Sequence, residues 1–110
     1  MNKSKTELLQ FIQDYELKRA DGIIAFDATV SFYHNDELRR IPSMVQVVNL
    51  PKEMVIYIHE FMKDEYHQSE VFSTELFSIS YSEGTPLEIR TNSNHPGFII
   101  SILPDNRKRL

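Results

Sequence analysis

Apolar and polar residues alternate most clearly between Ile24 and Phe32. Ile24, Phe26, Ala28, Val30 and Phe32 take every second position, with Asp27, Thr29 and Ser31 between them. A period of two predicts a strand with one buried face and one face toward water. Upstream the period is helical. Leu8, Phe11, Ile12 and Tyr15 recur along one stripe, and Gln10, Gln13, Asp14 and Lys18 fall elsewhere. The spacing predicts a helix over about 5–19. Ser4-Lys5-Thr6-Glu7 has the S-x-x-E form of a capping box, Lys18 and Arg19 suit the negative end of the dipole, and Asp21-Gly22 marks the end.

After a polar turn at His34-Asn35-Asp36-Glu37, Val45, Val47 and Val48 predict a second strand near 39–49. Pro42 interrupts it, which places the strand at an edge or delays its start. The segment after Pro51 admits two readings. As a strand, Val55-Ile56-Tyr57-Ile58 has high β propensity, and residues 49–52 would close a hairpin. As a helix, Pro51 suits the first position, and Met54, Val55, Ile58, Phe61, Met62 and Tyr66 form a stripe. Glu60, Lys63, Asp64 and His67 fall opposite that stripe at about 100° per residue, which favours a helix over 52–67.

The last third reads as a meander. Phe77, Ile79 and Tyr81 alternate with Ser78 and Ser80 in a strand over 71–81, and Glu83-Gly84 makes a turn. Leu87 and Ile89 mark a short strand, residues 92–97 a loop, and Phe98 to Leu103 a final strand stopped by Pro104. Residues 104–110, with Arg107-Lys108-Arg109, form a flexible basic tail in this reading. The expected order is α-β-β-α-β-β-β: an α+β fold with an N-terminal helix, a mainly antiparallel sheet of about five strands, and a second helix after the first hairpin.

Composition narrows the class. A chain of 110 residues suits a single domain over 1–110, with 41% hydrophobic and 25% charged residues. The absence of Cys excludes a disulfide scaffold, a thiolate zinc site and a Cys nucleophile. Met1 to Lys5 leads into an amphipathic segment without an apolar signal region, and the longest apolar run, Met54 to Ile58, is far below the ~20 residues of a membrane span. The expectation is a cytoplasmic protein without membrane contact.

Net charge is −4, and its distribution carries more information than its size. Residues 60–75 hold Glu60, Asp64, Glu65, Glu70 and Glu75 against Lys63, so the rest of the chain is balanced. Duplex binding draws its affinity from cations laid along phosphates, and this chain offers separated pairs, Lys18-Arg19 and Arg39-Arg40, besides the tail. Nucleic acid is therefore a disfavoured partner.

Candidate chemistry is sparse. The four histidines lack the spacing that puts two imidazoles on one helical face. A helix over 52–67 would bring Glu60, Asp64 and His67 together as potential ligands for a divalent cation, though a solvated helix face looks the same. Asp27 sits on the polar side of its strand. Three glycines cannot build a phosphate loop, and no G-x-S-x-G elbow occurs. No residue is assigned to catalysis, a cofactor or a metal.

The expectation is a small accessory or regulatory protein that binds rather than catalyses. Aromatic residues interleaved with the acidic segment give a partner-binding set of Glu60, Phe61, Asp64, Glu65, Tyr66, Glu70 and Phe72. Such a surface suits a partner with a basic surface, including inhibition by filling a basic groove. An exposed strand edge is the other docking element, and it would also allow homodimerisation. The alternatives are a metal-dependent enzyme and a nucleic-acid-binding domain.

Overall fold

In a computed structural model that describes residues 3–34, 36–91 and 98–105, one helix packs against a single antiparallel sheet. The helix is α1 (Lys3–Asp14). The strands are β1 (Arg19–Ala20), β2 (Ile23–His34), β3 (Glu37–Asn49), β4 (Met54–Met62), β5 (Glu65–Ser73), β6 (Phe77–Ser80), β7 (Leu87–Thr91) and β8 (Ile99–Pro104). The sheet runs β5-β4-β3-β2-β8-β7-β6, with β1 paired to the start of β2. This overturns the expected fold class: eight strands replace about five, and there is no second helix among the described residues.

The expected helix over 52–67 is the hairpin of β4 and β5. Met54, Ile56 and Ile58 form one buried row at the period of a strand, and residues 63–64 make a tight turn where the helix should have continued. Pro51 lies in the bend between β3 and β4, where Leu50 N–H bonds the Glu53 carbonyl at 2.8 Å. The helical stripe was a coincidence of spacing, because β-branched and aromatic residues at 55–58 favour the pleat. Glu60, assigned to the wet side of a helix, points into the sheet's concave side and is 8% exposed.

β2 follows its alternation: Ile24, Ala28 and Val30 are buried and Phe26 and Phe32 partly so. β3 explains Pro42. Pairing with β4 begins at Ser43↔Glu60, so from Glu37 to Pro42 the strand borders β2 alone and tolerates a missing N–H. The three strands of the meander pair as expected, although β5 ends at Ser73 and a turn separates it from β6. The loop over 92–97 and the tail from 106 lie outside the described residues. The tail expectation is corrected at its start, since Pro104 is buried in β8 and Asp105 N–H bonds the Asp27 carbonyl at 2.9 Å.

The helix ends earlier than expected. Glu16 adopts φ 54°, Leu17 N–H reaches the Ile12 carbonyl at 3.0 Å, and Glu16 N–H reaches the Gln13 carbonyl at 3.1 Å. These are the two bonds of a Schellman stop, closed by Ile12 and Leu17 against the core. Asp21-Gly22 instead forms the turn between β1 and β2, with both residues at positive φ. Ser4 and Glu7 do not form a capping box. Ser4 Oγ donates to the Phe77 carbonyl at 3.1 Å and accepts from Ile79 N–H at 3.0 Å, while a Glu7 carboxylate oxygen accepts from Tyr81 N–H at 2.7 Å. The helix thus uses Ser4 to satisfy free backbone of β6 and Glu7 to satisfy the backbone of Tyr81 just beyond it.

The sheet curls into a half-open barrel. Phe72 of β5 and Phe77 of β6, on the two outermost strands, meet edge to face at 5.0 Å, and Phe98 joins Phe72 at 6.2 Å. Leu8 and Phe11 enter the same core from the helix, with Phe11 against Phe26, Tyr15 and Tyr81. Among the described residues no helix is long and apolar enough to cross a membrane.

Candidate functional site

The acidic segment is one hairpin, and its strand period divides the residues between two faces. β4 and β5 are joined by Lys63-Asp64, at φ 53° and 64°, a two-residue turn matched to strand twist. Phe61 and Tyr66 are cross-strand partners on the outer face. Glu60 and Glu70 belong to the concave face, and Asp64 and Glu65 stand exposed at the tip. Phe72 is a core residue, packed on Phe77 and Phe98, and does not reach the surface.

On the outer face the Phe61 and Tyr66 rings lie 5.0 Å apart and remain 39% and 48% exposed. Val71 extends this apolar strip. The Tyr66 hydroxyl donates to Asp27 Oδ1 at 3.5 Å, the outer limit of a hydrogen bond. Its pKa is raised by burial, then by the Asp27 charge and bond. Beside it His59 bonds Gln46 Oε1 at 2.8 Å across β3 and β4.

On the concave face a cleft of 190 Å³ opens toward the end where the β2–β3 and β4–β5 hairpins turn. Phe32 and His34 of β2, Arg39 of β3, Glu70 of β5, Phe98 and Ile100 line it. The Arg39 guanidinium lies over the Phe32 ring, 5.7 Å from its centre. Glu70 is held above the ordinary carboxylate range by burial and by the charge of Glu60. Glu60 sits between Ser43 of β3 and His67 of β5 in register, and it has no hydrogen bond or ion pair among the described residues.

No family model matches the chain, and no curated protein or solved structure is detectably similar to it.

Contiguous charge counting found Glu60 and Glu70 but missed Phe32, His34, Arg39 and Phe98. A signal existed. Arg39 has the parity of Val45 and Val47 in β3, and His34 that of Val30 and Phe32 in β2, so each inward row ends in a cation or a titratable group at the same end of the sheet.

The other candidates separate. Glu60 points inward, Asp64 is at the turn and His67 pairs with Glu60, so the three do not share a helical face; no group of three His, Asp or Glu able to hold a metal occurs among the described residues. Arg19 pairs with Ile24 and Arg40 with Ser31, seven residues apart along β2, or roughly 23 Å. The two basic pairs do not form one patch, and the third basic cluster, 107–109, lies outside the described residues.

Proposed function

We propose that this protein is a small, non-enzymatic accessory or regulatory module that docks on another protein through the tip and outer face of the β4–β5 hairpin. The observation that carries the reading is the aromatic pair Phe61–Tyr66, left substantially exposed on a hairpin whose tip presents Asp64 and Glu65. Large aromatic side chains dominate binding energies at protein interfaces, and a surrounding acidic rim speeds encounter with a basic surface. Among the described residues β5 has no neighbour on its outer side in the sheet order, so main-chain pairing can add to side-chain contact. A cytoplasmic partner with a basic groove, blocked by the hairpin, fits this arrangement.

Two variants test it. D64K/E65K reverses the rim, and F61S/Y66S removes the anchors; both act at exposed positions and should leave the fold intact by circular dichroism. Each should lose the protein that the native chain retains in affinity capture from its host. Retention at native yield by both variants refutes the reading. The same free strand supports self-pairing as a second reading, which a doubled mass in light scattering would favour.

A further inference from the structure

Among the described residues β5 is an outermost strand, and its nine residues include neither Pro nor Lys, the usual guards of a free edge. It carries one irregularity. Pairing with β4 runs from Met62↔Glu65 to His59↔Gln68 and resumes at Ile58↔Glu70, so Ser69 is an extra residue and the strand is bulged there. The bulge resets which side each residue faces. Before it, His67 lies beside Glu60 on the concave side and Tyr66 beside Phe61 on the outer side. After it, Glu70 lies beside Ile58 on the concave side and Val71 beside Tyr57 on the outer side.

A strand that pairs antiparallel with its own copy does so about a two-fold axis, and the faces of the joined sheet must match. In a regular strand the axis then passes through a residue. Across a bulge the rule reverses: residues from its two sides share a face only when the axis falls between residues. Three such placements lie near the middle of β5. With the axis between 67 and 68, Glu65 opposes Glu70 of the second copy, a like-charge clash. With the axis between 69 and 70, His67 opposes Phe72 and Tyr66 opposes Ser73, and neither pair is complementary. With the axis between 68 and 69, His67 opposes Glu70 on the concave side and Tyr66 opposes Val71 on the outer side, each pair occurring twice. The first sets an imidazole N–H against a carboxylate, and the second covers two exposed apolar side chains. The end pair, Glu65 with Phe72, opposes no like charge.

We infer that the chain dimerises by adding β5 to β5 of a second copy, antiparallel, with the two-fold axis between residues 68 and 69. The inference rests on the self-pairing reading above and fixes its register.

Light scattering of the full chain, up to about 1 mM, should give twice the chain mass. H67E opposes two carboxylates and should raise the dissociation constant at least about tenfold; H67K should keep the dimer, and H67E/E70K, which exchanges the charges, should restore it. His67 is exposed, so H67E against H67K still decides if H67E/E70K fails to fold. Cross-linking reads the register, because the chain has no Cys of its own. Directly opposed Cα atoms stand about 4.5–5.5 Å apart, within disulfide reach, whereas positions 66 and 71 of one strand are roughly 17 Å apart. Oxidised Y66C/V71C should therefore run as a covalent dimer, and Y66C/S73C as a monomer. A single-chain mass throughout would overturn the inference and the self-pairing reading together. A doubled mass that H67E leaves unchanged, or cross-linking by Y66C/S73C in place of Y66C/V71C, would overturn this register and leave self-pairing standing. Docking at the hairpin tip is tested separately by D64K/E65K.

Discussion

Ser4→Ala tests how the helix is joined to the sheet. In a capping box, the serine would support its own helix, and alanine would loosen the amides of the first helical turn. Here Ser4 Oγ makes one bond to each of two backbone groups of β6, at 3.1 and 3.0 Å. Alanine strips both. An unsatisfied buried backbone group costs about 1–3 kcal/mol, and these are only partly buried, so the low end applies to each. The sum is about 2 kcal/mol, a substantial share of the roughly 5–15 kcal/mol that stabilises a domain. Urea denaturation should register that loss, and the melting midpoint should fall by about 10 °C. Amide hydrogen exchange locates it. Ile79 N–H, and Tyr81 N–H bonded to Glu7 in the same seam, should exchange up to about thirty times faster, since 1.4 kcal/mol is tenfold. Faster exchange confined to helix residues 5–7, with Ile79 and Tyr81 unchanged, would refute the argument and restore the capping box.

Three further outcomes follow from the packing and the titrating groups. Phe72→Ala removes the ring that joins β5 to Phe77 and Phe98 and should cost about 3–5 kcal/mol in urea denaturation; a loss under about 1 kcal/mol would mean the barrel closes without it. The Glu70 carboxyl lies above its ordinary 4.5, through burial and then Glu60, so the native state retains a proton that the unfolded chain releases. Its contribution is complete below 4.5 and is lost as pH rises through the elevated value; Glu70→Gln should flatten that decline in the melting midpoint and raise the midpoint at pH 7, and an unaltered pH profile would count against it. Tyr81 is pushed up to about 12 by burial and by its 2.8 Å bond to Asp14, so its stabilising bond persists past the ordinary 10 and disappears as pH approaches 12. Ultraviolet titration should show Tyr81 among the late tyrosines, and Asp14→Asn should move it earlier while leaving Tyr66 late.

The fold was legible where one period stood alone. β2 has five apolar residues on one face, with Asp27, Thr29 and Ser31 at the centre of the other, and no helical stripe competes. β4 fails that condition, because Val55 is buried on the face opposite Met54, Ile56 and Ile58. With both faces apolar, alternation fades and a helical pattern can be drawn through the same residues. The S-x-x-E spacing was misleading for a different reason. A serine and a glutamate one turn apart share a helix face, which lets them bond either their own helix or a strand lying alongside, and only the packing of α1 on β6 decides between these. The candidate site was half visible. Its acidic side is contiguous in sequence, whereas Arg39 and His34 join it through the pairing of β2 with β3, about thirty residues away and detectable only by inward parity.

The two outermost strands of this sheet are finished differently. β6 and the Tyr81 backbone after it have loose groups taken up by Ser4 and Glu7, and among the described residues β5 has no such covering in the sheet order. Linear polymers need two adhesive ends on every subunit, and this arrangement supplies one. Were copies of the chain to associate through β5, growth would therefore stop at two molecules, with the N-terminal helix closing the other end. Removing the Ser4 and Glu7 bonds while leaving Leu8 and Phe11 in the core would reopen that end to growth.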